Sequence, residues 1–76
     1  MTRQLVSRDE LVRLVNERIG QIPNAGPCAL GGVLRLEKPD RDGCNWLANS
    51  IKGIYTDGFR QAVTEIRAKY NLEDDA

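Results

Sequence analysis

Apolar residues recur at the spacing of an amphipathic helix near both ends of the chain, while glycine and proline interrupt the sequence between them. In the first segment, Ser7 and Glu10 have the spacing of a capping box, which marks the start of a helix. Gly20 stands where a left-handed residue would end that helix. The apolar stripe consists of Leu11, Val12, Leu14, Val15 and Ile19. The sequence therefore predicts a helix over residues 8–19.

The second helical segment follows Thr56 and Asp57, either of which is suited to cap a helix. Its apolar stripe consists of Phe59, Ala62, Val63, Ile66 and Tyr70. Asn71 is placed as a left-handed stop, and Leu72 is the apolar residue that folds back after it. We expect residues 73–76 to form a frayed acidic tail.

The sequence between the helices predicts a β-hairpin. Residues 21–32 hold two prolines and three glycines and are predicted to be a loop. Residues 33–38 alternate like a half-buried strand, and residues 44–49 are the returning strand. The turn between them spans residues 39–43, where Gly43 supplies a positive φ.

The apolar residues of the two predicted strands suggest a register. We expect Leu36 to lie opposite Trp46 and Leu34 opposite Ala48, which gathers four apolar side chains on one face for the helices to cover. Cys44 lies beyond them on that face. The opposite face carries Arg35, Glu37, Asn45 and Asn49, with Val33 and Leu47 as apolar exceptions.

A rival interpretation remains open for the second strand. Asn45 could cap a short helix over residues 46–52 that ends at Gly53, and the pattern does not decide whether Ile51 and Ile54 extend the sheet. With the hairpin, the fold class is α+β in the order α-β-β-α. Two amphipathic helices pack on one face of a small antiparallel sheet, within a single domain over residues 1–72.

The residue types exclude several kinds of chemistry. The chain has no histidine, so a Cys-His or Ser-His catalytic pair cannot form within one copy. Cys28 and Cys44 lack the further ligands that zinc needs. Residues 26–32 lack the Lys-Ser/Thr ending of a phosphate loop, and Lys38 occupies the first ligand position of an EF-hand alignment on Gly43. We therefore expect no catalytic residues, no metal site and no cofactor.

Charge and hydropathy restrict the partners. Eleven basic and eleven acidic residues cancel, which argues against a dedicated nucleic-acid binder, and no small-molecule ligand is evident. No apolar run approaches the ~20 residues that span a bilayer, and no apolar signal-peptide segment follows the first residues. Two cysteines without a signal segment are typical of free thiols, so we expect a cytoplasmic chain with no membrane partner.

A lone two-stranded ribbon is marginally stable, and its open edges are templates for association. We therefore expect a non-enzymatic protein-interaction module that binds its own copy as a homodimer, or another protein. The candidate interaction surface consists of Cys28, Val33, Arg35, Asn45 and Leu47. Two alternatives stay open. One is a weak nucleic-acid binder that uses Trp46 and nearby arginines; the other is an enzyme subunit, with Cys28 as its reactive group, that a partner completes.

Overall fold

A computed structural model of the chain describes residues 3–23 and 25–73. Its elements are β1 (Gln4–Val6), α1 (Arg8–Gln21), β2 (Cys28–Arg35), β3 (Trp46–Gly53), α2 (Asp57–Lys69) and β4 (Tyr70–Leu72). The α+β class is confirmed. The order is β-α-β-β-α-β, so the predicted order α-β-β-α lacks the strands at both ends.

Both helices start at the predicted caps. Ser7 Oγ accepts a hydrogen bond from the Glu10 N–H at 3.2 Å, and Thr56 Oγ1 accepts one from the Phe59 N–H at 3.1 Å. The predicted end of α1 is wrong, because the helix continues through Gly20 to Gln21. An extended residue, Ile22, ends the helix instead, so no left-handed glycine is required there.

The predicted stop at Asn71 is also wrong. Residues 70–72 leave α2 in extended conformation and pair in parallel with β1, with Tyr70 opposite Gln4 and Leu72 opposite Val6. The ladder continues into Glu73, whose N–H donates to the Val6 carbonyl at 2.9 Å. The rest of the predicted frayed tail, residues 74–76, lies outside the described residues.

Strands β2 and β3 form an antiparallel pair, so the alternative of a short helix over residues 46–52 is wrong. The observed register differs from the predicted one by a single residue, because Arg35 lies opposite Trp46 and Val33 opposite Ala48. A shift of one residue exchanges the two faces of a strand. As a result, Val33 is buried with 6 % of its surface exposed, whereas Leu34 is 50 % exposed.

The connection between the strands sets this register. The Gly43 N–H donates to the Asp40 carbonyl at 2.9 Å, with Gly43 at a φ of 88°, which places the tight turn at residues 40–43. The Leu36 N–H then meets the Asn45 carbonyl at 2.9 Å. Farther along the ribbon, the pairing shifts at Gly31 and again at Asn49, so each strand contains one bulged residue.

The core lies between the β2–β3 ribbon and the two helices. Its largest fully buried side chains are Trp46, Phe59, Leu11, Leu30, Leu72, Val15 and Cys44. Helix α1 packs on β2 and on α2, and an Arg18–Glu65 ion pair of 3.2 Å joins the two helices at the rim. Within residues 3–23 and 25–73, neither helix has the length and apolar character needed to cross a membrane.

Candidate interaction surface

Trp46 belongs to the core. It is 0 % exposed, and its Nε1–H donates to the Tyr70 carbonyl at 3.0 Å. The expectation that Trp46 lies on the covered face of the ribbon is confirmed. A base cannot stack on a ring that is fully enclosed, so the nucleic-acid alternative loses its stacking platform. Arg35, the arginine opposite Trp46 in the ribbon, donates to the Glu73 carbonyl.

The five residues of the predicted interaction surface are not brought together. Val33, expected on the open face, lies in the core because of the register difference. Arg35 and Asn45 are half-buried and bonded to the backbone of Glu73 and Leu72. The half-buried Cys28 thiol lies 3.2 Å from the Ala25 carbonyl, to which it donates, and 3.7 Å from Thr56 Oγ1. Only Leu47 is exposed, as predicted.

Side chains cover the open edge of β4. The Asn45 amide pairs with the backbone of Leu72 in both directions, donating to the carbonyl at 2.9 Å and accepting from the N–H at 2.8 Å. The Trp46 indole N–H donates a hydrogen bond to the carbonyl of Tyr70 on the same strand, β4. Since β1 pairs with its other side, β4 is satisfied along both edges and offers no site for another strand.

A second asparagine closes part of the outer edge of β2. Asn16, on α1, accepts from the Leu30 N–H at 2.6 Å and donates to the Leu30 carbonyl at 3.1 Å. The amide therefore takes the place of a neighbouring strand at the centre of β2. This edge is covered by α1 and is not the place where a partner would bind.

The outer edge of β3 is different. Near its start, the Trp46 carbonyl accepts from Arg67 Nε of α2 at 3.0 Å. Beyond that point, residues 49–53 are exposed, and no strand of the described chain lies on that side of β3. The difference between the two ribbon strands is clear at one pair: Leu30 is buried beneath α1, but Ile51 directly opposite it is half-exposed.

Most of the exposed apolar side chains gather around this edge. Six large apolar residues of the described chain are exposed. Three of them line one groove, Leu34 lies opposite one of these three in the ribbon, and Ile54 precedes another in the sequence. These five, which we call the β3 surface, are between 40 % and 65 % exposed and consist of Leu34, Leu47, Ile51, Ile54 and Tyr55. Leu34 lies opposite Leu47 in the ribbon, and both side chains are exposed.

A groove of about 230 Å³ between β3 and α2 forms the centre of the β3 surface. Leu47, Ile51 and Tyr55 line it on the strand side. Phe59 and Val63 contribute from α2, and the Tyr55 and Phe59 rings lie 5.6 Å apart between centroids. The tilted ring pair makes one side of the groove aromatic and rigid.

Polar side chains of α2 border the groove. Arg67 is engaged by the Asp40 carboxylate as well as by the Trp46 carbonyl. Arg60 is exposed at the same border and forms no ion pair with any described residue. Asp57, one turn earlier on the helix, is likewise exposed and unpaired within the described chain.

The Asp40 carboxylate, which accepts hydrogen bonds from three groups, has a structural role. Asp40 Oδ1 accepts from the backbone N–H groups of Cys44 at 3.0 Å and Asp42 at 2.9 Å, and Oδ2 binds Arg67. The Cys44 N–H, together with Arg67 and the Asp42 N–H, holds the pKa of Asp40 below its usual value. A carboxylate held ionised in this way fixes the turn and is a poor proton donor near neutral pH.

No group of three His, Cys, Asp or Glu side chains suited to a metal ion occurs within residues 3–23 and 25–73. No protein-family model matches the chain, and no curated protein or solved structure matches it either.

Four residues of the β3 surface were missed from the sequence: Leu34, Ile51, Ile54 and Tyr55. A signal for three of them existed, because Ile51, Ile54 and Tyr55 form a short apolar cluster between polar residues. The pattern did not decide whether Ile51 and Ile54 extend the sheet, and it assigned Tyr55 to no element. Leu34 required the register, which the alternation did not fix.

Proposed function

We propose that the chain is a non-enzymatic protein-interaction module that forms a homodimer through the β3 surface. The observation that supports this proposal is the concentration of five exposed apolar side chains beside a strand edge that the helices leave open. Scattered apolar side chains are normal on protein surfaces, but a continuous apolar patch usually marks a contact site.

The arrangement of the patch suits the centre of an interface. A stable interface buries about 800 Å² per partner, which is roughly a sixth of the 5152 Å² of accessible surface here. Such interfaces have an apolar centre and a polar rim. The β3 surface would supply the centre, and Asp57, Arg60 and Lys52 would contribute to the rim.

A second copy is a suitable occupant on two grounds. The formal net charge of the chain is zero, so two copies meet without long-range repulsion. In addition, the β2–β3 ribbon has only two strands, and an added layer would stabilise it. The bulge at Asn49 interrupts regular pairing along β3, so we propose that the copies pack through side chains rather than as one continuous four-stranded sheet.

Sedimentation equilibrium from low to high micromolar concentration tests the proposal. We expect a species of twice the 8.5 kDa chain mass for the parent. We expect a monomer for Ile51→Lys, because two lysine ammonium groups would have to be buried in the dimer. Leu5→Lys is the matched control, since Leu5 is the exposed apolar residue outside the β3 surface and its replacement should leave the dimer intact.

Two results would reject this homodimer. If the parent remains monomeric at the highest concentration, the chain does not self-associate. If the dimer persists in Ile51→Lys, the β3 surface is not the interface. A different protein as the occupant would appear as a photo-crosslink from a benzoylphenylalanine at position 51 whose mass differs from two copies of the chain.

We also propose that the chain works in a reducing compartment such as the cytoplasm. Both cysteines are free thiols, with Cys44 buried and Cys28 packed against Ala25. The enzyme-subunit alternative gains no support from Cys28, because no side chain among its described contacts is a base that could form the thiolate.

A further inference from the structure

Two unpaired, opposite charges stand beside the β3 surface. Asp57 and Arg60 are three residues apart in the first turn of α2, and both are exposed. They line one shallow depression of the surface, and Arg60 also borders the groove. Residues at this spacing on a helix are neighbours, yet no ion pair joins them, and neither side chain forms a hydrogen bond or ion pair with another described residue.

The next two charges along α2 are already engaged. Glu65 accepts from Arg18 at 3.2 Å and from Gln61 at 3.3 Å, and Arg67 is held by Asp40. Lys52 is exposed on β3, where it lies opposite Ala29 of β2, and does not belong to α2. Arg60 at the α2 border of the groove and Asp57, which shares the adjacent depression with it, therefore form an exposed pair of opposite charges that remains for a partner.

We propose that Asp57 of each copy pairs with Arg60 of the other copy and thereby sets the orientation of the homodimer; this inference rests on the proposed function. In a two-fold symmetric interface the same patch meets itself, so a contact from residue i to residue j occurs twice. A patch that carries one carboxylate and one guanidinium beside an apolar centre is complementary to its own copy in charge. The two ion pairs would enclose the apolar contact from opposite sides.

Charge reversal gives a specific test by sedimentation equilibrium. Asp57→Arg leaves two positive charges at each border, and Arg60→Asp leaves two negative charges. Each single variant should dimerise roughly tenfold or more weakly than the parent, because two attractions become two repulsions. The double variant Asp57→Arg/Arg60→Asp restores one charge of each sign and should recover affinity close to that of the parent.

Mixing the two single variants gives the sharpest result. A copy with two arginines and a copy with two aspartates should form a heterodimer more tightly than either forms a homodimer. Far-UV circular dichroism shows whether a charge reversal impairs folding. In that case the neutral variants Asp57→Asn and Arg60→Gln replace the reversals, and each should weaken the dimer by a smaller factor.

The failure of this inference is distinguishable from the failure of the proposed function. If all reversals dimerise like the parent while Ile51→Lys is monomeric, the apolar interface stands and the ion pairs are rejected. Equal weakening in the double variant and in both single variants, with no heterodimer on mixing, also rejects them. A monomeric parent rejects both proposals.

Discussion

At the level of single residues, the register of the ribbon determines which of two neighbouring apolar side chains stabilises the fold. Val33 lies in the core and Leu34 on the surface, the reverse of the simplest alternation. We expect Val33→Ala to lower the free energy of unfolding by about 2 kcal/mol, because it leaves a cavity. Leu34→Ala should change it by less than about 0.5 kcal/mol.

Urea unfolding of the two variants, followed by circular dichroism in the monomeric Ile51→Lys background, measures this difference without the contribution of dimerisation. The two substitutions are matched, since each truncates one aliphatic side chain on the same strand. A larger loss for Leu34→Ala than for Val33→Ala would restore the predicted register, with Leu36 opposite Trp46.

The sequence could not decide this register for a physical reason. Residues 33, 34 and 36 are all apolar, so a strand through them shows an apolar face in either phase. The turn hydrogen bonds at Asp40 and the bulges at Gly31 and Asn49 fix the phase, and they depend on backbone geometry that alternation does not record. Trp46 was placed correctly because a single large aromatic in so small a core is buried in most arrangements.

At the level of elements, helices were predicted better than strands. The caps at Ser7 and Thr56 act within four residues, so the starts of α1 and α2 could be found from local sequence. Strands β1 and β4 have three residues each and pair from opposite ends of the chain, so no local pattern indicates them. The edge of β4 that faces away from β1 is bonded by a side chain, Asn45, which no strand pattern would suggest.

The Asn45 amide therefore provides a direct test of how β4 is held. We expect Asn45→Ala to destabilise the chain by about 1–3 kcal/mol, because it leaves both backbone groups of the buried Leu72 without a partner. Hydrogen exchange should accelerate at the Leu72 amide. Asn49→Ala, at an exposed bulge, is the control and should have no comparable effect. Unchanged exchange at Leu72 would mean that Asn45 does not hold the edge.

The turn between β2 and β3 should give the chain a specific acid sensitivity. The folded pKa of Asp40 lies below its unfolded value of about 3.9, so its ionised form contributes stability above that pH. The contribution is lost as the pH falls through the folded pKa. The stability difference between parent and Asp40→Asn should therefore be largest above about pH 4 and shrink at lower pH.

Urea unfolding from pH 7 to about pH 2 checks this dependence, since that range covers the titration of carboxylates. Asp42→Asn is the matched control, because the Asp42 side chain accepts no hydrogen bond from the described chain. A parent–variant difference that stays constant with pH would show that the Asp40 charge does not stabilise the turn, whatever its hydrogen bonds contribute.

At the level of the whole molecule, the unequal protection of the strand edges bears on both the stability of the fold and the proposed association. Helix α1 covers the outer edge of β2, and the side chains of Asn45 and Trp46 cover the outer edge of β4, so two of the outer strand edges are protected. Helix α2 hydrogen-bonds to β3 near Trp46, through Arg67, and the far half of the strand stays exposed. With the outer edges of β2 and β4 bonded by asparagine amides, the β3 surface is a place where burial can still be gained.

If burial of the β3 surface completes the fold, thermal stability must depend on protein concentration, because a dimer that unfolds to two chains is favoured by mass action. For a chain of 76 residues, a tenfold rise in concentration should raise the Tm by roughly 3–5 °C. Ile51→Lys should abolish this dependence, and Leu5→Lys should retain it. Differential scanning calorimetry across a hundredfold concentration range measures the slope. A parent Tm that does not change with concentration would indicate that the domain is fully stable as a single copy, with the β3 surface open to water.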